Sequence, residues 1–304
     1  MDTALLLMQQ VLIMYLLAAI AFVAYRAGKI TDEGSKTIGN LLIYVSLPSV
    51  IIKGFLVERS AEQVMGLFVS MALAAVILAS CILISRLCFP KDEIASFGAA
   101  FSNPGFFGIP LITAILGNEA VFYVAPYIAF LNLLQWSYGV SLLTGKKTGL
   151  KLKSVVTAPF MIAIAIGLVL FLTGLELPPV LMKTLDFCAG FNTPLAMFTV
   201  GVYMTKCHVG EMLKKKSLYM VSAVRLLLIP VAALAILTVI PWVGTDMRTA
   251  ILIAAACPVG SNLAVYAQLH DKNYAYAVET VVASTMFCIL TIPAIVYVSG
   301  LLWG

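Results

Sequence analysis

The chain has 304 residues, of which 62% are hydrophobic and 11% are charged, and its mean hydropathy is +1.04. This composition excludes a soluble enzyme and places the protein among polytopic membrane proteins. The net charge of +5 is better explained by loops at a membrane surface than by a nucleic-acid-binding face, so nucleic acid is not an expected partner.

Ten apolar stretches are predicted to span the lipid bilayer as α-helices, because one span needs about 20 apolar residues. In chain order, spans 1 to 10 cover residues 4–25, 36–56, 62–86, 92–116, 119–143, 154–174, 179–205, 216–240, 247–269 and 273–302. The connections between them are short, and no soluble domain is expected. The predicted fold class is therefore an all-α polytopic membrane protein with ten transmembrane helices.

The basic residues are distributed unevenly between the two predicted faces of the membrane. Of the 19 Lys and Arg residues, 14 lie on the face that holds the loop between spans 1 and 2, four lie on the other face, and Arg225 lies inside span 8. Basic loops remain on the cytoplasmic side. We therefore expect both termini to be extracytoplasmic.

Five spans precede a basic segment at residues 146–153, and five follow it. An odd number of spans in each half means that the second half enters the membrane upside down, as in the inverted repeats of many secondary transporters. The predicted organisation is a first five-helix repeat at 1–145, a cytoplasmic basic linker at 146–153 and a second, inverted five-helix repeat at 154–304.

Two spans are interrupted by polar residues, glycine and proline: span 4 at Ser102–Gly105 and span 9 at Cys257–Asn262. Lipid offers no hydrogen bonds to a broken backbone, so a break is tolerated only against protein or a cavity. Each break lies about eleven residues into its span, roughly 16 Å deep in a core about 30 Å thick. The breaks enter from opposite faces and are predicted to cross near the middle of the membrane.

The start of each new half-helix leaves backbone N–H groups free and places the positive end of a helix dipole at the break. Amides at Gly105–Gly108 and Val259–Asn262, with the two asparagine side chains, would suit an anion such as a carboxylate. The alternative is a pair of kinked helices whose asparagines only repair the backbone. The predicted substrate-binding residues of the two breaks are Asn103, Pro104, Gly105, Phe106, Pro258, Gly260, Ser261 and Asn262.

Other polar side chains inside the spans are candidates to complete the site. Asn132 and Gln135 share one face of span 5, and Ser46 and Thr193 stand near prolines in spans 2 and 7. The alternative role for these residues is hydrogen bonding between helices.

Arg225 and Glu279 are expected to form a buried pair on the cytoplasmic side of spans 8 and 10. The pair would either lock two helices together or let Glu279 carry a coupling proton. The scattered cysteines and two histidines show no ligand spacing, so no metal and no cofactor are expected.

Two runs of the sequence resemble motifs of the auxin efflux carrier family. The run Phe101–Leu111 is similar to the signature N-x-G-F-x-G-x-P-L, and Ala256–Ala267 is similar to a P-x-G-x-N stretch of the same family. Ser46-Leu47-Pro48 and Arg225–Pro230 also match, so the resemblance extends over nearly the whole chain.

The resemblance implies two inverted five-helix repeats with broken, crossing helices in spans 4 and 9, similar to the bile-acid sodium symporter fold. It further implies a scaffold of spans 1, 2, 6 and 7, a transport domain of spans 3–5 and 8–10, elevator-type alternating access and a homodimer. The short loop at Thr144–Ser154 departs from the plant carriers and resembles a bacterial permease. A multi-pass protein of a bacterial plasma membrane is therefore expected.

The predicted function is secondary active transport of small organic anions, such as malate, malonate or auxin-like monocarboxylates, and not an enzymatic reaction. The sequence has no nucleotide-binding loop, so ion gradients or the membrane potential must supply the energy. Proton coupling through Glu279 and sodium coupling through backbone carbonyls at the breaks both remain open. A non-transporting sensor or an anion channel is the alternative.

Overall fold

The computed structural model describes residues 2–145, 156–212 and 214–303, and the helices within these ranges follow the apolar pattern of the sequence. The predicted basic linker at 146–153 lies outside the described residues. We label twelve helices in chain order: α1 Asp2–Arg26, α2 Asp32–Gly54, α3 Ala61–Cys88, α4 Glu93–Ala100, α5 Pro104–Leu116, α6 Asn118–Thr144, α7 Pro159–Thr173, α8 Pro179–Thr205, α9 Lys216–Thr238, α10 Thr245–Ala256, α11 Asn262–Leu269 and α12 Tyr274–Trp303.

Seven helices in the described ranges are long and apolar enough to cross a membrane, namely α1, α2, α3, α6, α8, α9 and α12. They coincide, within a few residues, with predicted spans 1, 2, 3, 5, 7, 8 and 10. Helix α7 is a shorter apolar helix in span 6. Spans 4 and 9 each contain two helices with an interruption between them. The protein is thus a multi-pass, all-helical membrane protein, while the inverted relation of its halves stays a prediction.

Local sequence explains where several helices begin. Thr31, Ser60 and Asp92 each accept a hydrogen bond from the backbone N–H three residues later, at the starts of α2, α3 and α4. Such caps satisfy one of the donors that the first helical turn leaves free. Pro104 stands first in α5, where its missing N–H costs nothing.

The broken helices form the centre of the molecule. Every residue of α10 from Met247 to Ala256 is buried, as is every residue of α4 from Ile94 to Ala100. A helix that is apolar on all sides and enclosed in protein belongs to a core. The surrounding helices, by contrast, expose large apolar side chains such as Leu16 and Phe68 on their outer faces, as expected for contact with lipid. The two breaks therefore lie where other helices enclose them.

One pair of surrounding helices packs unusually closely. Helices α1 and α8 approach each other at Gly201, where a Cβ atom would lie only 2.1 Å from the backbone oxygen of Ala18. Small residues permit such close helix contacts in membranes. Helices α1 and α8 are therefore closely packed beside the core.

Candidate functional site at the crossing of the broken helices

The two helix interruptions lie side by side and bind each other. The backbone N–H of Asn103 donates to the carbonyl of Pro258 at 2.9 Å, and that of Gly260 donates to the carbonyl of Phe101, also at 2.9 Å. Ser102 and Val259 form an isolated antiparallel β-bridge between these bonds. The expected meeting of the breaks is therefore observed, and each break satisfies part of the other's backbone.

Residue types at the breaks suit this arrangement. Gly260 has no room for a side chain, because a Cβ atom would lie 2.9 Å from the backbone oxygen of Ser102. Asn103 caps α5, since its Oδ1 accepts from the N–H of Phe106 at 3.4 Å and its backbone oxygen accepts from Phe107 at 3.1 Å. Ser284 of α12 stabilises the second break, because its Oγ accepts a hydrogen bond from the N–H of Val259 at 3.0 Å.

These bonds correct the expectation that eight backbone amides face a ligand. Five of the eight already have acceptors: those of Phe106, Phe107 and Gly108 bond to Asn103, that of Val259 to Ser284 and that of Gly260 to Phe101. Within the described residues, three of the expected amides remain without an acceptor. They belong to Gly105, Ser261 and Asn262.

A cavity of about 260 Å³ opens beside the crossing. Its polar part comes from the two breaks and α6, and its apolar part comes from α2, α6, α7 and α11. The lining residues are Ile43, Leu47, Ser102, Asn103, Pro104, Gly105, Phe106, Ile128, Leu131, Asn132, Trp136, Ala158, Pro159, Phe160, Gly260, Ser261, Asn262, Val265, Tyr266 and Leu269.

The polar part of this cavity is rich in hydrogen-bond donors. Asn262 Nδ2 donates to Gln135 Oε1 at 2.8 Å, and this bond orients both carboxamides. Gln135 is fully buried, and its Nε2 has no hydrogen-bond acceptor. This nitrogen lies next to Gly260, because a Cβ atom added to Gly260 would be 3.5 Å from it. None of the lining residues carries a charge. Free N–H donors without an acid nearby favour an electron-rich ligand such as a carboxylate.

Arg225 binds the backbone on the side of the crossing where the first half-helices end. Its Nη1 donates to the carbonyls of Ala99 at 3.0 Å and Ala100 at 3.3 Å, and its Nη2 donates to the carbonyl of Ala255. These residues close α4 and α10, so one fully buried guanidinium neutralises the negative ends of both helix dipoles.

The expected pair between Arg225 and Glu279 is therefore wrong. Glu279 instead binds Lys215, with 2.6 Å between Lys215 Nζ and Glu279 Oε2. The breaks leave several helix-end carbonyls without intrahelical donors, and the planar, multi-donor guanidinium can bind three of them at once. Sequence spacing alone does not reveal acceptors that a distant helix supplies.

Most of the predicted site residues line the cavity, but four do not. Gln135 is fully buried and is connected to the lining through its hydrogen bond with Asn262. Pro258 does not line it and instead accepts the bond from Asn103. Ser46 Oγ donates to the carbonyl of Cys188 at 2.8 Å and joins α2 to α8. Thr193 lines a separate cavity. Asn132 does line the main cavity, although its Nδ2 donates within its own helix to Ile128 at 2.8 Å.

Sequence reasoning did not identify the aromatic wall of the cavity. Trp136 and Tyr266 meet edge to face, with their ring centroids 5.3 Å apart, and Phe160 adds a third ring. Tyr266 stands one helical turn after Asn262, so i to i+4 spacing was a usable signal. Phe160 gave no such signal because it reaches the site only through tertiary packing.

Four helices around the crossing contain a π-helical turn. These turns are Leu42–Ser46 in α2, Pro104–Gly108 in α5, Gln135–Gly139 in α6 and Val224–Leu228 in α9. A π-helical turn adds one residue to the helix and re-aims nearby side chains, and such turns are frequent at functional sites. The π-helical turn of α6 includes Gln135, which bonds to Asn262 at the second break. The turn of α9 includes Arg225, which bonds to the ends of α4 and α10.

Comparison with known proteins relates the chain to membrane transporters. The family model described as membrane transport protein matches residues 6–158 and 147–296 of the chain. An uncharacterized transporter of Methanocaldococcus jannaschii is 22% identical over 317 residues, with 98% of this chain and 97% of that protein covered. A protein of Rhizobium meliloti named "Putative malonate transporter" is 23% identical, with 91% of each chain covered.

A further uncharacterized transporter, from Methanothermobacter thermautotrophicus, is 24% identical over 94% of this chain and 96% of its own length. The family match covers nearly the whole chain and agrees with the resemblance read from the two break motifs. The chain therefore belongs to the membrane transport protein family, the auxin efflux carrier-like family of membrane transporters.

Proposed function

We propose that the protein is a secondary active transporter of small organic anions and that it binds their carboxylate at the crossing of the broken helices. The observation that carries this proposal is the set of unused donors there: the amides of Gly105, Ser261 and Asn262, residues that line the cavity, and the buried Nε2 of Gln135 next to Gly260. Two positive helix ends add to their field. The proposed role for Asn103 and Asn262 is to orient the bound carboxylate.

The rest of the cavity suits the carbon skeleton of an acid. Apolar side chains such as Leu47, Ile128 and Val265 and the aromatic rings of Trp136 and Tyr266 surround the polar end. A pocket with a few placed polar groups in an apolar wall is typical of small-molecule sites. The name of the Rhizobium meliloti relative supports carboxylic acids as the class and does not choose among them.

Alternating access is proposed to occur by an elevator movement. The cavity lies between α2 and α7, of the proposed scaffold, and α5, α6 and α11, of the proposed transport domain. Sliding of one group of helices against the other would carry a ligand held at the crossing across the membrane. Pro159 and Leu269 lie at helix ends that the charge distribution assigns to the cytoplasm, so the cavity faces inward in this conformation.

The membrane potential is the energy source that best fits the site. An inside-negative potential favours exit of an anion by about 2.3 kcal/mol per charge per 100 mV. A sodium ion would compete with the Arg225 guanidinium for the carbonyls of Ala99, Ala100 and Ala255. Proton coupling by Glu279 would require opening its pair with Lys215. Net export of a monoanion requires neither.

Counterflow in proteoliposomes tests the proposal. Vesicles loaded with unlabelled malate, malonate, lactate or indole-3-acetate would be diluted into the labelled acid, without sodium and at equal pH. Saturable accumulation of label that protein-free vesicles lack is expected for at least one acid. Ohmic, non-saturating flux would indicate a channel, and binding without exchange would indicate a sensor; either result would overturn the proposal.

A further inference from the structure

A second cavity, of about 210 Å³, lies between α2, α5 and α8 and is much more polar than the first. Lys53, Thr113, Asn118, Asp186, Asn192 and Thr193 line it. Unlike the cavity at the crossing, it therefore contains charged side chains. Nothing in the proposed transport step at the crossing uses these residues.

The positive charge of this cavity, on Lys53, is paired with a carboxylate that is half exposed to solvent. Lys53 Nζ lies 2.6 Å from Asp186 Oδ1, yet the Lys53 side chain is 17% exposed whereas that of Asp186 is 48% exposed. An ion pair with a half-exposed carboxylate contributes little to stability, because water can replace the lysine around the acid. Separating Asp186 from Lys53 therefore costs little free energy on the side of Asp186. The Lys53 side chain is less exposed, so water replaces its partner less readily.

The same cavity includes a buried carboxamide without partners. Asn192 is 3% exposed, and neither its Nδ2 nor its Oδ1 has a hydrogen-bond partner. Leaving such a group unsatisfied costs about 1–3 kcal/mol, so a buried and unpaired amide needs a reason. An unpaired amide donor and an ammonium on one cavity, with the hydroxyl of Thr193, are a suitable set of ligands for a carboxylate. The Thr113 hydroxyl is not part of this set, because it donates to the carbonyls of Ile109 and Pro110 in its own helix.

The second cavity follows the first along both α2 and α5. On α2, Leu47 lines the first cavity, whereas Val50 and Lys53, one and two turns later, line the second. On α5, Pro104 lines the first cavity and Thr113 lines the second. The cavities thus follow one another in the same order on both helices, and the predicted topology places the second on the extracytoplasmic side.

We infer that the second cavity is an outer carboxylate-binding site in which Lys53, released from Asp186, pairs with the anion and Asn192 donates to it. The inference rests on the proposed function, because it supplies that carrier with a second site on the far side of the crossing. Lys53 and Asn192 lie on helices of the proposed scaffold, so the outer site would stay in place while the transport domain moves. An arriving or departing acid would then bind Lys53 before or after it binds the crossing.

Substitutions of the two members of the ion pair are expected to change the external KM in opposite directions. Lys53→Gln removes the cation and is expected to raise the external KM roughly tenfold, the loss of one charge-assisted hydrogen bond. Asp186→Asn removes the competitor and is expected to lower the external KM. The internal KM should be unchanged in both. A purely structural pair would make both variants worse or leave both unaffected.

A binding measurement on the purified full-length protein separates the two sites. Thermal unfolding would be followed with and without malonate at constant ionic strength in Asn262→Ala, in which binding at the crossing is weakened. We expect malonate to raise the Tm of Asn262→Ala, and to raise it equally in Asn262→Ala/Lys183→Gln. Lys183 is an exposed lysine of α8 and gives the same change of charge outside the cavity. The rise should vanish in Asn262→Ala/Lys53→Gln.

The outer site is overturned if malonate does not stabilise Asn262→Ala, or if the stabilisation survives Lys53→Gln. Failure of the proposed function has a different signature, because it appears as absent counterflow in the unmodified protein. Lys53→Gln can lower the Tm even without malonate, because it leaves Asp186 unpaired. The variant Asn262→Ala/Lys53→Gln/Asp186→Asn removes this imbalance of charge. Malonate should fail to raise the Tm of this variant too.

Discussion

At the scale of single residues, the bond between Asn262 and Gln135 links the second break to α6 and orients the carboxamide of Asn262, which lines the cavity. Asn262→Ala removes a donor and releases Gln135 Oε1. Counterflow is expected to fall by roughly one to two orders of magnitude, the worth of a hydrogen bond to a charged ligand. The control is Asn40→Ala, which changes an exposed asparagine of α2 that does not line the cavity. Unmodified counterflow by well-folded Asn262→Ala would remove the crossing as the binding site.

Arg225 makes a prediction about stability, because its guanidinium satisfies three carbonyls at the ends of α4 and α10. Arg225→Gln is expected to lower the free energy of unfolding by about 3 kcal/mol or more, since breaking buried, charge-assisted bonds leaves acceptors unpaired. Arg248→Gln is the matched control. Arg248 is also nearly buried, but it stacks on Trp303 with 4.7 Å to the ring centre, a contact worth about 0.5–1 kcal/mol.

Thermal unfolding in detergent, with the folded yield from size-exclusion chromatography, compares the two arginine variants. Equal losses of stability in the two variants would show that the bonds of Arg225 to the helix ends contribute no more than the contacts of Arg248. The larger loss for Arg225→Gln would tie stability to the helix ends at the crossing. If Arg225→Gln still folds, sodium is expected to stabilise it and not the unmodified protein, because the freed carbonyls are oxygen ligands for a cation.

At the scale of helices, the two break glycines are not equivalent. A Cβ at Gly260 would lie 2.9 Å from the backbone oxygen of Ser102, whereas a Cβ at Gly105 would meet only the methyl groups of Leu47, at 3.6 Å. Gly260→Ala should therefore separate the two breaks and reduce counterflow at least tenfold, while Gly105→Ala should reduce it much less. Transport by Gly260→Ala equal to that of Gly105→Ala would show that the contact between the breaks is not needed.

Helix positions were largely predictable because lipid imposes a length and forbids unpaired backbone. Apolar length alone indicated the seven long helices, and the motifs around Asn103 and Asn262 indicated the two broken ones. The amides that stay free were not predictable. Whether the N–H of Val259 is available depends on Ser284, and that of Gly260 depends on Phe101, in parts of the chain far from each other. Such pairings belong to tertiary packing.

At the scale of the whole molecule, two cavities of different chemistry follow one another along α2 and α5. The first is mostly apolar with uncharged donors at one end, and the second contains the pair of Lys53 and Asp186. This order suits an anion with an apolar body, since a charged residue attracts it at one end of the path without holding it tightly at the crossing. Sequence alone does not connect Lys53 with Asp186, because the two residues meet only through the packing of α2 against α8.

Orientation in the membrane is testable with the protein's own cysteines. Cys88, at the end of α3, is exposed, and the charge distribution assigns it to the cytoplasm. Cys207, after α8, is assigned to the same face but is buried, and burial followed by the nearby charge of Glu279 raises its thiol pKa to about 11. Because the thiolate is the reactive form, Cys207 should be nearly inert at neutral pH.

A membrane-impermeant maleimide should therefore label inside-out vesicles and not right-side-out cells, and Cys88→Ser should remove the label. Cys188 in α8 is only partly exposed and lies within a span, away from an aqueous reagent. Labelling of intact cells that Cys88→Ser abolishes would place α3's end outside. The cavity at the crossing would then face outward and the Lys53 cavity inward, because both assignments depend on the same charge distribution.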